Sequence, residues 1–532
     1  MTAVTGRPVS TILRVRGWLR ICTPLHVGGQ ARDPNGELSV AVDGLGRFYV
    51  PGSGLAGAFR AWTEAHTPAE PQPTHGSYRP LWGYAQQHGQ DGSASRAVVY
   101  DALITTGTAC SADGWPTEPL HPSRVESRTS VGIDRRTGTA AEGFLHARMV
   151  IPRGAYLRLE LDVESTADQW DLDRRRIGVL LDSLGAGDIR LGAAKTRGLG
   201  RVELAGTGLT ILADDLSSKD GLLALLTGQT RELTRSDLGD GWPATGTTLT
   251  VQVDWQPVGP TMVRAAADGT VADSVPLTSG TGSRTVRLVL PGSSVKGALR
   301  ARAEWIERTV RRLDAPRPDT DDPVGRRSAF RAQLGQPDLL AVQALFGTAA
   351  TGSADDDEAD RGGVAALAVD DCYALEDLDR AEWQAIFGAG QAEPPTPDWL
   401  ADRHLAVADH VAIDRWTGGA ADGRLYSVLE PLGMSWEPIR MTMDLTRLAA
   451  SLGGKDRAAV ALFVLLLRDL SGGHVPIGYG TNRGFGDIRV TRILVTGGDW
   501  PDGTEVADLL TSDPVRQLSD AWQRYLDEED PS

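Results

Sequence analysis

The chain is 532 residues long, 41% hydrophobic and 23% charged, with a formal net charge of −16. That length exceeds what a single core fills, so two or more domains are expected, and the composition excludes collagen-like, low-complexity and membrane-embedded classes. The three cysteines, Cys22, Cys110 and Cys372, are scattered and odd in number, which argues against a disulfide framework or a zinc cluster.

The opening MTAVTGRPVSTILRV has no apolar segment ahead of a small-residue cleavage site, so a cytoplasmic protein without a membrane partner is expected. The first strand signal is an alternation: Leu13, Val15, Leu19 and Ile21 share one face, and Arg14, Arg16 and Arg20 the other. VPGSGLAGAFRAW, from Val50, then gives a proline-glycine-serine turn and a helix, which Ser53 is placed to cap and on which Arg60 follows. LWG at Leu81 and the strand-like AVVYDA from Ala97 come next. SVGIDRRTGTAAEGFLHA starts at Ser130, an alternating strand carries Leu157, Leu159, Leu161 and Val163, and a helix is expected over Arg174 to Leu184. The glycine loop LGAAKTRGLGRVEL, from Leu191, runs into a last strand. Residues 211–245, containing SSKDG and DLGDGWPATG, read as a linker.

Beyond residue 245 the pattern returns. Leu249, Val251, Val253 and Trp255 alternate, and LPGSSVKGALRARAEW from Leu290 restates the turn and helix. LFG at Leu345, ALAVDD from Ala366 and HVAIDRWTGGAADGRLYS from His410 follow in the same order. IGYGTNRGFGDIRV from Ile477 matches the first glycine loop. The chain is therefore a tandem duplication. Its domains are expected at 1–210 and 246–498, the second with an acidic insertion near 350–362, and 499–532 form a C-terminal tail or helix. Each half reads β-α, a variable middle, then β-α-β, an α+β pattern of the ferredoxin-like kind.

Charge is uneven: residues 1–210 carry a net +2 and the remainder −18, partly through ADDDEAD from Ala354. Total charge therefore leaves room for a local anion-binding groove. GYGTNRG fails as a dinucleotide fingerprint, because both glycine loops follow a helix and open a strand, the reverse of the Rossmann context. Successive glycines instead let backbone approach a ligand and aim N–H groups at anions. Arg197 beside Gly198 and Arg483 beside Gly484 occupy equivalent places, with Lys195 added in the first loop. The helix starts add Ser53 and Arg60 in one copy, and Ser293, Ser294, Lys296 and Arg300 in the other, where a positive N-terminus favours phosphate. Repeated backbone contacts without base readers suit sequence-independent nucleic-acid binding.

PGSSVKGALR, the late RGxG loop and the α+β frame resemble the RAMP superfamily of CRISPR proteins, once per half. The IDRxTGxAxxGxL element is especially similar to the backbone (Cas-seven-type) subunits of type III effector complexes. The resemblance implies two tandem ferredoxin-like (RRM-like) domains with thumb and loop insertions, stacked on a guide RNA beside other type III subunits. It places Ile133, Asp134 and Arg135, and Ile413, Asp414 and Arg415, in or beside thumb-like hairpins. It further implies that an aspartate after the first strand of a copy cuts target RNA with Mg2+ or Mn2+, at sites six nucleotides apart. Asp273 in VADSVPL fits that place, with Asp268 its nearest competitor. Asp33 in QARDPNG is the first-copy counterpart, with Glu37 and Asp43 left open; Asp273 and Asp33 would also hold the metal. His26 in LHVGG matches a glycine-flanked histidine of such proteins and equally suits a structural role. The carboxylate need do little, since RNA carries its own 2′-hydroxyl nucleophile. The first copy departs from the pattern, with Ala56 in place of Lys296 and no DS-plus-apolar loop, so a single cutting half would be the second. The rival readings are a non-catalytic guide scaffold and a guide-processing endoribonuclease.

Overall fold

A computed structural model of the chain describes residues 9–528 except 33–36, 69–79, 86–91, 207, 243–247, 283, 321, 336–337, 349–362, 389–392, 394, 453–455, 499, 501–502 and 506–512. It divides into two compact units: residues 1–126, 149–195 and 199–245, and residues 127–148, 196–198 and 246–532. Each is mixed α/β.

The first unit is built on the strand Thr11–Ile21, antiparallel to Tyr156–Ser165 on one side and to Val202–Leu204 and Thr210–Asp215 on the other. The alternation fixes the register: Leu13, Val15 and Leu19 lie opposite Val163, Leu161 and Leu157, all buried. Each such side chain contributes roughly 1.5–3 kcal/mol, whereas a one-residue slip would turn the set to solvent. On the opposite face the arginines are spent on the sheet itself: Arg14 pairs with Asp214 at 2.7 Å, Arg16 with Asp162 at 2.7 Å and Arg20 with Glu203 at 3.2 Å. Helix Gly52–His66 buries Leu55, Phe59 and Thr63, four residues apart, against the apolar face. Helix Trp170–Ala186 packs beside it, and Trp62 Nε1 donates to Ser183 Oγ at 2.8 Å.

The expected linker is not one. Residues 210–215 form a strand on the sheet edge of Thr11–Ile21, helix Lys219–Leu226 follows, and Arg231–Leu233 pairs with the new strand. The buried alternation of Ile211 and Ala213 overrides the polar, glycine-rich composition around it.

In the second unit the sheet order is Leu367–Val369, Ile439–Asp444, Thr248–Pro257, Ile488–Gly497 and Thr504–Glu505, each antiparallel to its neighbour. Leu249, Val251 and Val253 face Met443, Met441 and Ile439. Helices Gly292–Arg311 and Asp456–Ser471 cover it, the latter sinking Leu462, Phe463, Leu466 and Leu467 into the core. The terminal helix Asp513–Glu528 seats Tyr525, whose hydroxyl donates to the buried Glu307 carboxylate. The acidic insertion lies outside the described residues. Among those described, no helix is long and apolar enough to cross a membrane.

A hairpin encoded in the first half belongs to this second unit. Its strands, Glu126–Ile133 and Ala140–Val150, carry a tip seated on helices Gly292–Arg311 and Pro323–Gly335. Arg135 Nε pairs with Glu304 Oε2 at 2.8 Å, and its backbone N–H donates to Gln333 Oε1 at 2.9 Å. Phe144 meets Phe330 edge-on at 4.5 Å, and Arg326 pairs with Glu142 at 3.0 Å.

Candidate nucleic-acid interface

The two proline-glycine helix starts are built alike, though not as their serines suggest. Pro51 and Pro291 occupy the cap positions, and neither helix has a side-chain cap from that residue. The glycine after each proline butts against the following strand: a Cβ on Gly52 would fall 2.2 Å from Val99 O, and one on Gly292 2.0 Å from Val369 O. That approach brings an aspartate at the strand's end onto the first free N–H. Asp101 Oδ1 accepts from Gly52 N at 2.7 Å, and Asp371 Oδ1 from Gly292 N at 2.8 Å. A carboxylate thus already sits at each positive helix end, which removes the reason for phosphate to bind there. Ser53 is exposed and Ser293 and Ser294 half-buried in the first turn.

Two of the expected phosphate cations also serve the fold. Lys296 is 6% exposed, and its Nζ donates to Leu367 O at 2.7 Å. Arg300 holds Glu304 at 2.7 Å and donates to Gly347 O and Leu334 O. Arg60 remains at the surface, paired with Glu64 at 2.8 Å.

The glycine loops fold against the segment after the first strand. Ala193 N donates to His26 O at 2.9 Å and Tyr479 N to Met262 O at 2.7 Å. Gly192 and Gly478 have positive φ there, and a Cβ on either would lie 2.2 Å from those same carbonyls, so both positions require glycine. His26 is 3% exposed and its Nδ1 donates to Met149 O, so it acts in this packing. Lys195 lines a groove with Gly54, Gly57 and Ala58 of the first helix.

The cation of each loop faces the base of a hairpin. Arg197 lies beside Arg148 and His146: burial, then Arg197, pushes the Arg148 pKa down, and burial followed by both arginines lowers His146. Neither arginine has an ion pair with a carboxylate among the described residues, so positive charge is left concentrated at this hairpin. In the second copy Arg483 Nη1 donates to Tyr426 Oη at 2.5 Å and lies 5.1 Å from the Tyr479 ring centre. His410 stacks on Tyr426 at 5.3 Å. Gly484 has open space where a Cβ would be, whereas one on Gly198 would meet Asp371 Oδ1 at 2.7 Å.

Next to Tyr426, Ser427 holds the Asp273 carboxylate. Asp273 Oδ2 accepts from Ser427 N at 2.7 Å and Ser427 Oγ at 3.0 Å, and Ser274 bridges to Val428. These hydrogen bonds, the backbone one foremost, hold the exposed carboxylate below its usual range, with Arg264 adding to the effect. Asp268 pairs with Arg264 at 2.5 Å. In the first copy Asp33 lies outside the described residues. Glu37 is half-buried beside strand Leu38–Val40, and Asp43 closes a turn by accepting from Leu45 N, Arg47 N and Arg47 Nε.

The IDRxTG elements are the hairpin tips. Asp134 Oδ1 accepts from Arg136 N, and Asp414 Oδ1 from Trp416 N, each at 2.8 Å. Gly138 and Gly418 follow with φ of 68° and 70°. Ile133 and Ile413 are 39% and 57% exposed. Arg135 is tied down by Glu304, while Arg415 is exposed. Sequence reasoning missed Asp101, Asp371, Arg148 and Ser427; for the first two, the matching aspartates in AVVYDA and ALAVDD were the available signal.

Two α/β units, with a proline-started helix in each copy and an arginine-bearing glycine loop facing each hairpin, define a duplicated α/β protein with a cationic loop in each copy. The RAMP superfamily model matches residues 18–203 and 276–489, more than half of the sequence, and the chain belongs to that superfamily. RAMP proteins are generally associated with CRISPR effector complexes and bind CRISPR RNA and partner subunits. No curated protein matches the chain.

Proposed function

We propose that the chain is a double backbone subunit of a type III CRISPR effector complex, holding guide RNA with both copies and cutting complementary target RNA. Its sheet order supports the ferredoxin-like reading: in the second unit Thr248–Pro257 lies between Ile439–Asp444 and Ile488–Gly497, with the short Leu367–Val369 outside Ile439–Asp444. The observation that carries the cleavage reading is Asp273, an exposed carboxylate locked by Ser427 at a hairpin base and flanked by Arg483 through Tyr426.

Among the described residues no cluster of three or more His, Cys, Asp or Glu stands together as a metal site. The Ser427 bonds to Asp273 both end on Oδ2, and one carboxylate oxygen with substrate phosphates and water is a sufficient set for Mg2+. When bound there, Mg2+ or Mn2+ would neutralise charge developing on the phosphate. The depressed pKa keeps Asp273 anionic at neutral pH, which suits holding a cation better than storing a proton. The RNA 2′-hydroxyl then attacks the adjacent phosphorus, forming the 2′–O–P bond and breaking the P–O5′ bond. The hydroxyl proton passes to solvent, and the 5′-oxygen leaves and is protonated.

The test reconstitutes the complex with a guide and an end-labelled complementary RNA, and compares wild type, D273A, D33A and the double variant on a sequencing gel. Loss of one band per variant, with bands six nucleotides apart, is the expected outcome. Unchanged cleavage in the double variant, with guide binding intact, reduces the chain to a scaffold.

A further inference from the structure

The two copies differ at one position beside the candidate cleavage site. The carbonyls of His26 and Met262 each accept an N–H from a glycine loop, which marks these two residues as equivalents. Two residues further on, the first copy has Gly28 and the second has Arg264. The segment that carries Arg264 is fixed at several points. Ala265 N donates to Val275 O at 2.9 Å and Leu277 N to Val263 O at 2.7 Å. Thr270 N and Oγ1 both reach Ile386 O, at 2.7 and 2.9 Å, and Ala272 and Val275 are buried. The second hairpin, of strands Leu405–Ile413 and Ala420–Pro431, adds two more ties: Ser274 N donates to Ser427 O at 3.1 Å, and Leu429 N to Ser274 O at 2.9 Å.

This pinned loop holds Arg264, Asp268 and Asp273 on one short stretch. Arg264 Nη2 donates to Asp268 Oδ1 at 2.5 Å and lies 3.4 Å from the Asp273 carbonyl oxygen. Its charge adds to the Ser427 hydrogen bonds that hold the Asp273 carboxylate anionic. The pair with Asp268 is an exposed one, Arg264 being 43% and Asp268 70% accessible, and such pairs contribute about 0.2–1 kcal/mol. A phosphate diester offers the same guanidinium stronger, charge-assisted bonds from two donors at once. Arg483, on the hairpin side, is committed to Tyr426 and packs on Tyr479.

We infer that Arg264 is a catalytic residue of the second copy, which leaves Asp268 to hydrogen-bond a non-bridging oxygen of the phosphate that Asp273 serves. The inference rests on the cleavage reading of Asp273 given above. As the 2′-oxygen bonds to phosphorus and the P–O5′ bond breaks, negative charge grows on the non-bridging oxygens. A guanidinium already beside the carboxylate meets that charge without reorganisation. Arg264 gives up no proton, and the leaving 5′-oxygen takes one from water. Asp268 is then no part of the reacting set; it holds the cation in reach until RNA arrives. Gly28 gives the first copy no side chain at that place.

The experiment follows single-turnover cleavage by the reconstituted complex, with guide and end-labelled complementary RNA, for wild type, D273A, R264A, R264K and D268A. R264A should slow the cut that D273A abolishes by about a hundredfold, with guide binding and the other cut unchanged. R264K should recover part of that rate, since it keeps the charge and loses the forked geometry. D268A should move the rate the other way, speeding the same cut by up to about fivefold at subsaturating RNA, because it frees the cation. An ion pair that merely shapes the loop would make R264A and D268A slow the cut alike, and that outcome overturns the inference. Full activity of R264A at the cut that D273A abolishes overturns it too. Should R264A fail to bind guide, R264K and D268A decide by the same opposite directions. If D273A leaves both cuts in place, the cleavage reading fails and this inference falls with it, whatever R264A does.

Discussion

Replacing Asp371 with alanine should damage the second unit far more than replacing its counterpart Asp101 damages the first. Asp371 is 7% exposed; Oδ1 accepts the Gly292 N–H at 2.8 Å, and Oδ2 lies 3.4 Å from Arg128 Nη1, itself 8% exposed. Losing the helix-end acceptor costs about 1 kcal/mol. Leaving that N–H buried without a partner adds roughly 1–3 kcal/mol, and breaking one side of a buried ion pair costs about 3–5 kcal/mol on its own. These overlap, since one carboxylate makes both contacts, so a loss of about 4 kcal/mol is expected. Asp101 makes the same bond to Gly52 at 2.7 Å but is exposed, so water can take its place and the loss should be about 1 kcal/mol. Scanning calorimetry of the full-length chain reads the contrast: D371A should lower the transition of the second unit by roughly 8–16 °C, while D101A moves the other by a quarter of that. Adding Arg128→Met to D371A should recover part of the loss, because it removes the buried charge whose ion pair with Asp371 the substitution breaks. Equal shifts for D371A and D101A, or a deeper loss in the double variant, would refute this account of the helix start.

Other outcomes follow from the same geometry. Gly292→Ala places a Cβ 2.0 Å from Val369 O and should destabilise the second unit by about 2 kcal/mol or more, whereas Gly297→Ala, with open space around it, should stabilise by about 0.5–1 kcal/mol; thermal unfolding distinguishes them. Burial pushes the Glu307 carboxyl up to about 7, above its unfolded value, so the folded state holds the extra proton. The stability this contributes is complete below the unfolded pKa and is lost as pH rises through about 7. Docking of the terminal helix, followed by Trp522 fluorescence and by protease nicking, should therefore weaken as pH rises from about 4.5 to about 7 and change little above; strengthening would refute it. Ser427→Ala removes one of two donors to Asp273 and should raise its pKa, moving the acid limb of target cleavage upward and slowing it about tenfold, against a far larger loss for D273A.

Alternation and repetition were enough to read the sheets, because period-two burial leaves a direct trace in residues such as Leu13 and Val15 or Leu249 and Val251. The IDRxTG repeat was legible as a matched pair, and its chemistry is local: an aspartate, a glycine and their own backbone close the turn. What escaped was non-local. Ser53 and Ser293 have the residue type of a cap, yet the contact that decides is between Gly292 and Val369, far apart in the chain, and it delivers Asp371 instead. Lys296 reads as a surface cation by type, but its stem lies in the core and its amine ends on Leu367 O. The strand at 210–215 was hidden by the polar stretches on either side. No sequence pattern tells that Arg135 finds Glu304.

That last contact changes what the duplication means. A hairpin translated with the first half finds its seat in the second unit, so a cut after residue 245 would not yield two self-sufficient proteins but two complementing fragments, one carrying a tip without a seat and the other a seat without a tip. Within the intact chain the tether keeps the local concentration of the tip high, so this joint survives dilution that would separate joints between different chains. The fusion therefore sets the minimum repeating piece of any assembly at two copies of the fold, made together and inseparable.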